Sequence, residues 1–326
     1  MKSFNFNFVF FMSDADNYKF AYSDLINCNN VNITYGLKPT NRFGKFLHKV
    51  QHSEKIWGEG NSFLESIWYN SYFKDNFKNK SLPLCFVFFA ANVKEKYIKY
   101  LKGLYPTAKF VLYYTDLVNP INNASLISPN IVREIFDLII TYDQNDAINY
   151  SIKYFPTSYS DIHIPENDNI QNSDVYFLGT PKSRWSRILS SYETLAEAGL
   201  KCDFYILNQP KPKRVNRPGI TYIDKPFTYY QNLQHVLKTK CLLEINQTGA
   251  VGASLRTWES IQFGKAFLTD NLSLKNSKFY DSNYMSFITS NGDLDVDFIK
   301  NYTFYDNPKK KDIRPIHFIN YIQENL

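Results

Sequence analysis

The order of apolar and polar segments along this chain predicts an α/β protein built as two Rossmann-like domains in tandem, facing each other across a cleft. Three observations carry that expectation. Continuous apolar runs of strand length alternate with stretches of helical spacing. The alternation is interrupted once near the middle by a polar stretch and then starts again. The length, 326 residues, exceeds what one core ordinarily supports, since domains run to about 150 residues.

In the first half, residues 6–12, 84–90, 109–115 and 138–142 are near-continuous apolar runs, the pattern of parallel strands covered on both faces. Helical spacing falls between them: Phe43, Phe46, Leu47, Val50 and Trp57 form one set, and Tyr97, Ile98, Leu101 and Leu104 another. Residues 160–173, with Pro165 and several Asn and Asp, lack periodicity and read as a linker. A second series then begins with a strand at 175–178 and a helix from about 183 to 198, stopped by Gly199. Strands at 202–207, 220–223 and 241–245 follow, with a helix at 229–237 between the last two. A helix at 254–263 closed by Gly264 leads to strands at 266–269 and 285–288. The terminal run 315–322 reads as a helix that crosses back onto the first domain. The expected divisions are therefore residues 1–165, 172–310 and 311–326.

Composition excludes several classes. No apolar run approaches the roughly 20 residues that cross a bilayer. The N-terminal segment 4–12 has one Lys before it and no small-residue cleavage site after it, so it fits a strand better than a signal peptide, and the expected location is the cytosol. Cys28, Cys85, Cys202 and Cys241 are scattered without a CxxC pair, which indicates neither a disulfide framework nor a zinc site. The net charge of +6 suits a phosphorylated small molecule or an anionic membrane surface and is too small to argue for nucleic acid, so no nucleic-acid partner is expected.

Ligands of open α/β sheets bind beyond the carboxyl ends of the strands, so the loops there are the places to search. After the strand at 175–178 comes Gly179-Thr180-Pro181-Lys182-Ser183-Arg184, leading directly into a helix. The glycine lets backbone approach a ligand, and hydroxyl, cations and helix start all favour an anion. Lys182, Arg184 and Arg187 could clasp a diphosphate; solvated cations on a capped helix would look the same. The second loop, Gln247-Thr248-Gly249-Ala250-Val251-Gly252-Ala253-Ser254-Leu255-Arg256-Thr257-Trp258-Glu259, follows a strand and enters a helix, a second anion site. Glu259, in the early turns, could accept ribose hydroxyls, or could merely pair with Arg256 at i,i+3.

The run Gly179-Thr180-Pro181-Lys182, the helix after it, Gly199-Leu200-Lys201-Cys202-Asp203-Phe204, and Ser254-Leu255-Arg256-Thr257-Trp258-Glu259-Ser260-Ile261-Gln262-Phe263-Gly264-Lys265 together resemble the donor half of bacterial GT-B glycosyltransferases of capsule, lipopolysaccharide or exopolysaccharide assembly. The resemblance covers the second half of the chain; the first half is similar only in layout. It implies a hexosyltransferase-like, metal-independent enzyme without a cofactor, using a nucleoside diphosphate sugar as donor and a saccharide, free or lipid-linked, as acceptor. It also implies that Glu259 binds the donor ribose, and that Thr248, Gly252, Ser254, Leu255 and Arg256 cradle the diphosphate with Gly179, Thr180, Lys182 and Arg184. One departure stands out: residues 247–251 lack the acidic side chain that many retaining members carry there. This leaves the stereochemical outcome open and admits a non-catalytic subunit of the same fold.

On the acceptor side, Asp14 and Asp16, Asp116, and Asp143 follow three different strands. An inverting transferase needs a general base there, for which Asp116 and Asp14 are the candidates; the competing reading is that Asp favours turns and helix caps. His48 and His52 stand at i,i+4 without a metal-site set of carboxylates, so no metal is expected. Arg42, Lys45 and Lys49 beside Phe43 and Trp57, and Lys94, Lys96, Lys99 and Lys102 beside Tyr97 and Tyr100, form faces that suit either peripheral contact with an anionic membrane or plain solvation.

Overall fold

The computed structural model describes residues 3–37, 68–90, 94–118, 128–247 and 251–326. The expected helix with Phe43, His48, His52 and Trp57, and residue Thr248, lie outside the described residues. The chain divides into two compact units, Met1–Phe155 with Pro315–Leu326, and Pro156–Arg314. The boundary falls about ten residues before the expected 165, because Tyr159, Ser160 and Ile162 are buried as part of the second unit.

In the first unit the elements run β1 (Asn7–Met12), α1 (Asp16–Ala21), β2 (Val31–Tyr35), α2 (Tyr69–Tyr72), β3 (Leu84–Phe89), α3 (Glu95–Leu104), β4 (Lys109–Tyr114), α4 (Pro129–Val132), β5 (Leu138–Thr141), α5 (Gln144–Asn149) and β6 (Lys153–Tyr154). All strand pairs are parallel, in the order β2-β1-β3-β4-β5-β6. The apolar runs are continuous because the central strands are covered on both faces: every residue of β1 is buried. Alternate side chains divide between the faces. Phe11 stacks on Phe88 at 4.7 Å and meets Tyr97 of α3 edge-on at 5.6 Å. Phe10 meets Phe89 on the opposite face. Many of the chain's aromatics are spent on such edge and offset contacts, which add to their area burial.

The second unit runs β7 (Ser173–Gly179), α6 (Trp185–Glu197), β8 (Cys202–Leu207), β9 (Ile220–Ile223), α7 (Tyr229–Lys238), β10 (Thr239–Glu244), α8 (Leu255–Phe263), β11 (Ala266–Thr269), β12 (Met285–Phe287) and α9 (Val296–Asn301). Its parallel sheet has the order β12-β11-β10-β7-β8-β9. A core of Val175, Phe177, Phe204, Ile206, Cys241 and Leu243 packs under Ile188, Tyr192 and Leu195 of α6. Thr228 and Gln231 close a capping box at the start of α7, and Ser254 caps α8 by accepting from Arg256 N. α8 ends at Gly264, whose φ of 60° is left-handed. The last helix, α10 (Pro315–Asn325), belongs to the first unit, where Phe318 lies 4.5 Å from Tyr113 and 6.3 Å from Phe10. No helix among the described residues is long and apolar enough to cross a membrane.

Candidate functional site

The two strand orders give each unit one candidate crevice. In each doubly wound sheet the chain reverses direction between two adjacent strands, and a crevice opens at their carboxyl ends: between β1 and β3 in the first unit, and between β7 and β10 in the second. The loops after β7 and β10 are those with the anion-binding composition.

The structure brings three guanidinium groups to the carboxyl ends of β7 and β10. Arg184 ends a 3-10 turn, Lys182–Arg184, before α6, and its side chain donates to the carbonyls of Ile245 and, at 2.7 Å, Thr180. Arg187, one turn on, donates to Asn246 O at 2.8 Å and pairs with Asp270 at 2.5 Å. Arg256, in the first turn of α8, donates to Leu178 O and lies 5.6 Å over the Phe177 ring. Lys182 Nζ donates to Gln247 Oε1 at 3.3 Å. Burial first, then the neighbouring Arg256 and Arg187 charges, push the Arg184 guanidinium below its ordinary value. Positive charge is thus held close together, tied to backbone carbonyls that would otherwise end the strands unsatisfied. Such a cluster gains from an anion that several cations can share.

Gly179 and Thr180 are half-buried at the end of β7, Gly252 is buried, and Leu255 opens α8. Ser254 Oγ does double duty: it accepts from Arg256 N and donates to Glu244 Oε1. Glu244 escaped the sequence reading, which placed it only inside an apolar strand run. It is 3% exposed, Thr269 Oγ1 donates to its other oxygen at 2.6 Å, and burial raises its carboxyl above the usual range. Asp270, also missed, accepts from Asn246 N at 2.7 Å and so fixes the start of the second loop. The available signal was a lone carboxylate in a buried run, which requires dedicated partners.

Glu259 is likewise 3% exposed. Its Oε1 accepts from Tyr229 Oη at 2.8 Å and from Asn232 Nδ2 at 3.0 Å, both on α7. No donor among the described residues reaches its Oε2. The i,i+3 neighbour Arg256 makes no ion pair with it among the described residues, its guanidinium being on Leu178 O. Burial first raises the Glu259 carboxyl, and the Arg256 charge, Tyr229 and Asn232 lower it in part. A cavity of about 430 Å³ is lined by Arg187, Ser190, Ile245, Asp270 and Thr289 among others, and Glu259, Tyr229, Asn232 and Arg256 do not line it.

In the first unit, Asp14 follows β1 at the reversal point and lies 3.3 Å from Lys19 Nζ, while Asp16 in α1 lies 3.1 Å from the same amine. Asp116 is exposed after β4. Asp143 is fully buried and caps α5, accepting from Asn145 N at 2.9 Å and Asp146 N at 3.1 Å, so the capping reading holds for it. Lys99 pairs with Glu95 at 2.6 Å on the exposed face of α3. No group of three or more His, Cys, Asp or Glu among the described residues is placed to hold a metal ion.

The sequence matches no family model and no curated protein. Solved structures do match over nearly the whole chain. One is an alpha-glucosyltransferase in complex with UDP and a 13-mer DNA, at 14% identity and a TM-score of 0.55, covering 98% of both chains. A UDP-forming alpha,alpha-trehalose-phosphate synthase from Burkholderia xenovorans shares 7% identity at a TM-score of 0.56, with 98% of both chains covered. Sucrose-phosphate synthase from Thermosynechococcus elongatus shares 8% at 0.52, with 97% of both covered. The first of these holds DNA, so the expectation of no nucleic-acid partner, which rested on net charge, does not stand on the fold. At such identities the likeness is one of architecture, and that architecture, two Rossmann-like domains each with a parallel six-stranded sheet, is the GT-B fold.

Proposed function

We propose that the protein is a glycosyltransferase that moves a sugar from a nucleoside diphosphate sugar to an acceptor hydroxyl. The observation that carries the reading is Glu259: a buried residue with one carboxylate oxygen doubly engaged and the other without a donor among the described residues, under the charge of Arg256, one of the clustered guanidinium groups. Oε2 is not among the buried polar atoms that lack a partner, so it opens to solvent and a ligand hydroxyl can take the place of water there. A ribose hydroxyl next to a diphosphate matches both parts of the site. The neighbours of the same fold solved with UDP agree in kind.

In this reading Lys182, Arg184, Arg187 and Arg256 stabilise the charge that develops on the departing diphosphate, and the helix starts of α6 and α8 add to it. Asp14 or Asp116 would take the acceptor proton if the reaction inverts. No metal ion is given a part. The proposed acceptor is a saccharide, lipid-linked or free, of surface polysaccharide assembly, acted on at the inner face of the cell membrane.

A second reading, a non-catalytic subunit of the same fold that stabilises an active transferase, is favoured by the lack of any acidic side chain in residues 247–251. Release of nucleoside diphosphate from a panel of UDP-, GDP- and ADP-sugars separates the two. Saccharide, lipid-linked saccharide and DNA acceptors are offered in turn, with and without EDTA. Acceptor-dependent release that EDTA leaves unchanged is expected. Nucleotide binding without release from any pair would leave the subunit reading in its place.

A further inference from the structure

Glu259 ends a chain of buried hydroxyls. Tyr159 and Tyr229 hydroxyls lie 2.8 Å apart, and Tyr229 donates its one proton to Glu259 Oε1. Tyr159 must therefore donate to Tyr229, which gives the chain a single direction, Tyr159 to Tyr229 to Glu259. Asn232 Nδ2 takes the second acceptor site of Oε1, and its own Oδ1 accepts from Tyr176 Oη at 3.1 Å. Burial, and after it the Glu259 charge, push the Tyr159 and Tyr229 phenols well above their ordinary range, so both remain donors.

Each member is held from elsewhere. Tyr229 and Asn232 ride on α7 behind its capping box. Tyr159 N donates to Ile313 O at 2.7 Å, Trp258 Nε1 donates to Thr157 Oγ1 at 2.5 Å, and Gln262 Nε2 donates to Asp161 Oδ1 at 2.9 Å. The segment carrying Tyr159 is thereby fastened on both sides of it to α8, the helix that carries Glu259. A carboxylate of about four acceptor sites has two filled at Oε1, and among the described residues no donor takes the two on Oε2. Its orientation is fixed before any ligand arrives, and preorganised acceptors lose least on binding.

We propose that Tyr229, backed by Tyr159 and Asn232, is a positioning residue that commits Oε1 of Glu259 and thereby presents Oε2 to a ribose hydroxyl, making the site selective for ribonucleotides over deoxyribonucleotides. This rests on the donor-site reading above. A site built to accept a ligand hydroxyl rejects the analogue without it, because the bound nucleotide displaces water from the carboxylate oxygen and then leaves it unpaired.

The test measures affinities of UDP, 2′-deoxy-UDP and 3′-deoxy-UDP for the wild type, Tyr229→Phe, Tyr159→Phe and Glu259→Ala, with thermal unfolding as the check on folding. In the wild type at least one deoxy form binds roughly tenfold or more weakly than UDP. In Tyr229→Phe that ratio shrinks toward unity, and Tyr159→Phe, one hydroxyl further away, shows a smaller change in the same direction. A pH series adds a readout that loss of packing would not move. Tyr229 lowers the Glu259 carboxyl, so in Tyr229→Phe the pH below which UDP binding fails rises. The other groups facing Glu259, Arg256, Glu244, Tyr159 and Tyr176, are unchanged in that variant. If Glu259→Ala abolishes the discrimination while a folded Tyr229→Phe keeps all of it, the positioning role is overturned and the donor site stands. If the wild type binds none of UDP, GDP and ADP, or Glu259→Ala keeps the discrimination, both fall.

Discussion

Replacing Glu259 by Gln should move two measurements in opposite directions. The amide keeps a carbonyl oxygen for Tyr229 and Asn232, and the Asn232 donor dictates that this oxygen takes the place of Oε1. An NH₂ then stands where Oε2 was, a donor facing ligand hydroxyls that are themselves to donate. Hydrogen bonds to a charged group are worth about 1.5–3 kcal/mol, so nucleoside diphosphate affinity should fall roughly ten- to hundredfold. The free protein should meanwhile become more stable at neutral pH. Burial raises the Glu259 carboxyl in the folded state. The folded protein therefore holds that proton more tightly than the unfolded chain, and stability falls as pH rises from the ordinary carboxylate value through the raised one. Above that window the wild type bears the whole penalty and the amide none. The assay is paired thermal unfolding across pH 4–8 and calorimetric titration with UDP. A Gln variant that binds UDP as the wild type does, or that melts lower at neutral pH, would refute the reasoning.

Three further outcomes follow from the same geometry. Gly219 and Gly199 share a left-handed φ, 79° and 78°, but an added Cβ at Gly219 would sit 2.2 Å from Cys202 O while at Gly199 nothing lies within 4 Å. Gly199→Ala should cost about 1–2 kcal/mol, the left-handed penalty alone, and Gly219→Ala clearly more, read by denaturant unfolding. Arg256→Lys should weaken UDP binding several-fold despite keeping the charge, because a point ammonium replaces a planar group that both reaches Leu178 O and lies over Phe177; calorimetry reads it. Asp143→Ala should lower stability by about 1 kcal/mol through loss of the α5 cap, with no change in nucleotide affinity.

What the sequence revealed follows from where its physics is local. The central strands were legible because burial on both faces writes a near-continuous apolar run, as in β1 and β4 after their first residue, and α8 because a serine cap and a terminal glycine bracket it. β2, Val-Asn-Ile-Thr-Tyr, went unread: among the described residues it pairs only with β1, at the end of the strand order, and its polar residues look like loop. α5 shows no apolar stripe and depends on the Asp143 cap, which reads in sequence as one more carboxylate after a strand. The site was half legible. Its anion-binding loops are contiguous and could be read directly. Glu244 could not, since Thr269 becomes its neighbour only through the register of β10 on β11, and Ser254 only through the return of the second loop. The partners of Glu259 lie 27 and 30 residues before it on a different helix, where no spacing rule reaches.

The most direct test of the central claim is the thermal stability of the whole protein against a panel of nucleoside diphosphates and their sugars, with Glu259→Ala alongside. A ligand present at a hundred times its dissociation constant stabilises by about 2.7 kcal/mol. The account predicts that at least one nucleoside diphosphate raises the melting temperature of the wild type and that the rise is lost or much reduced in the variant. No rise with any of them, or an equal rise in both proteins, would contradict it.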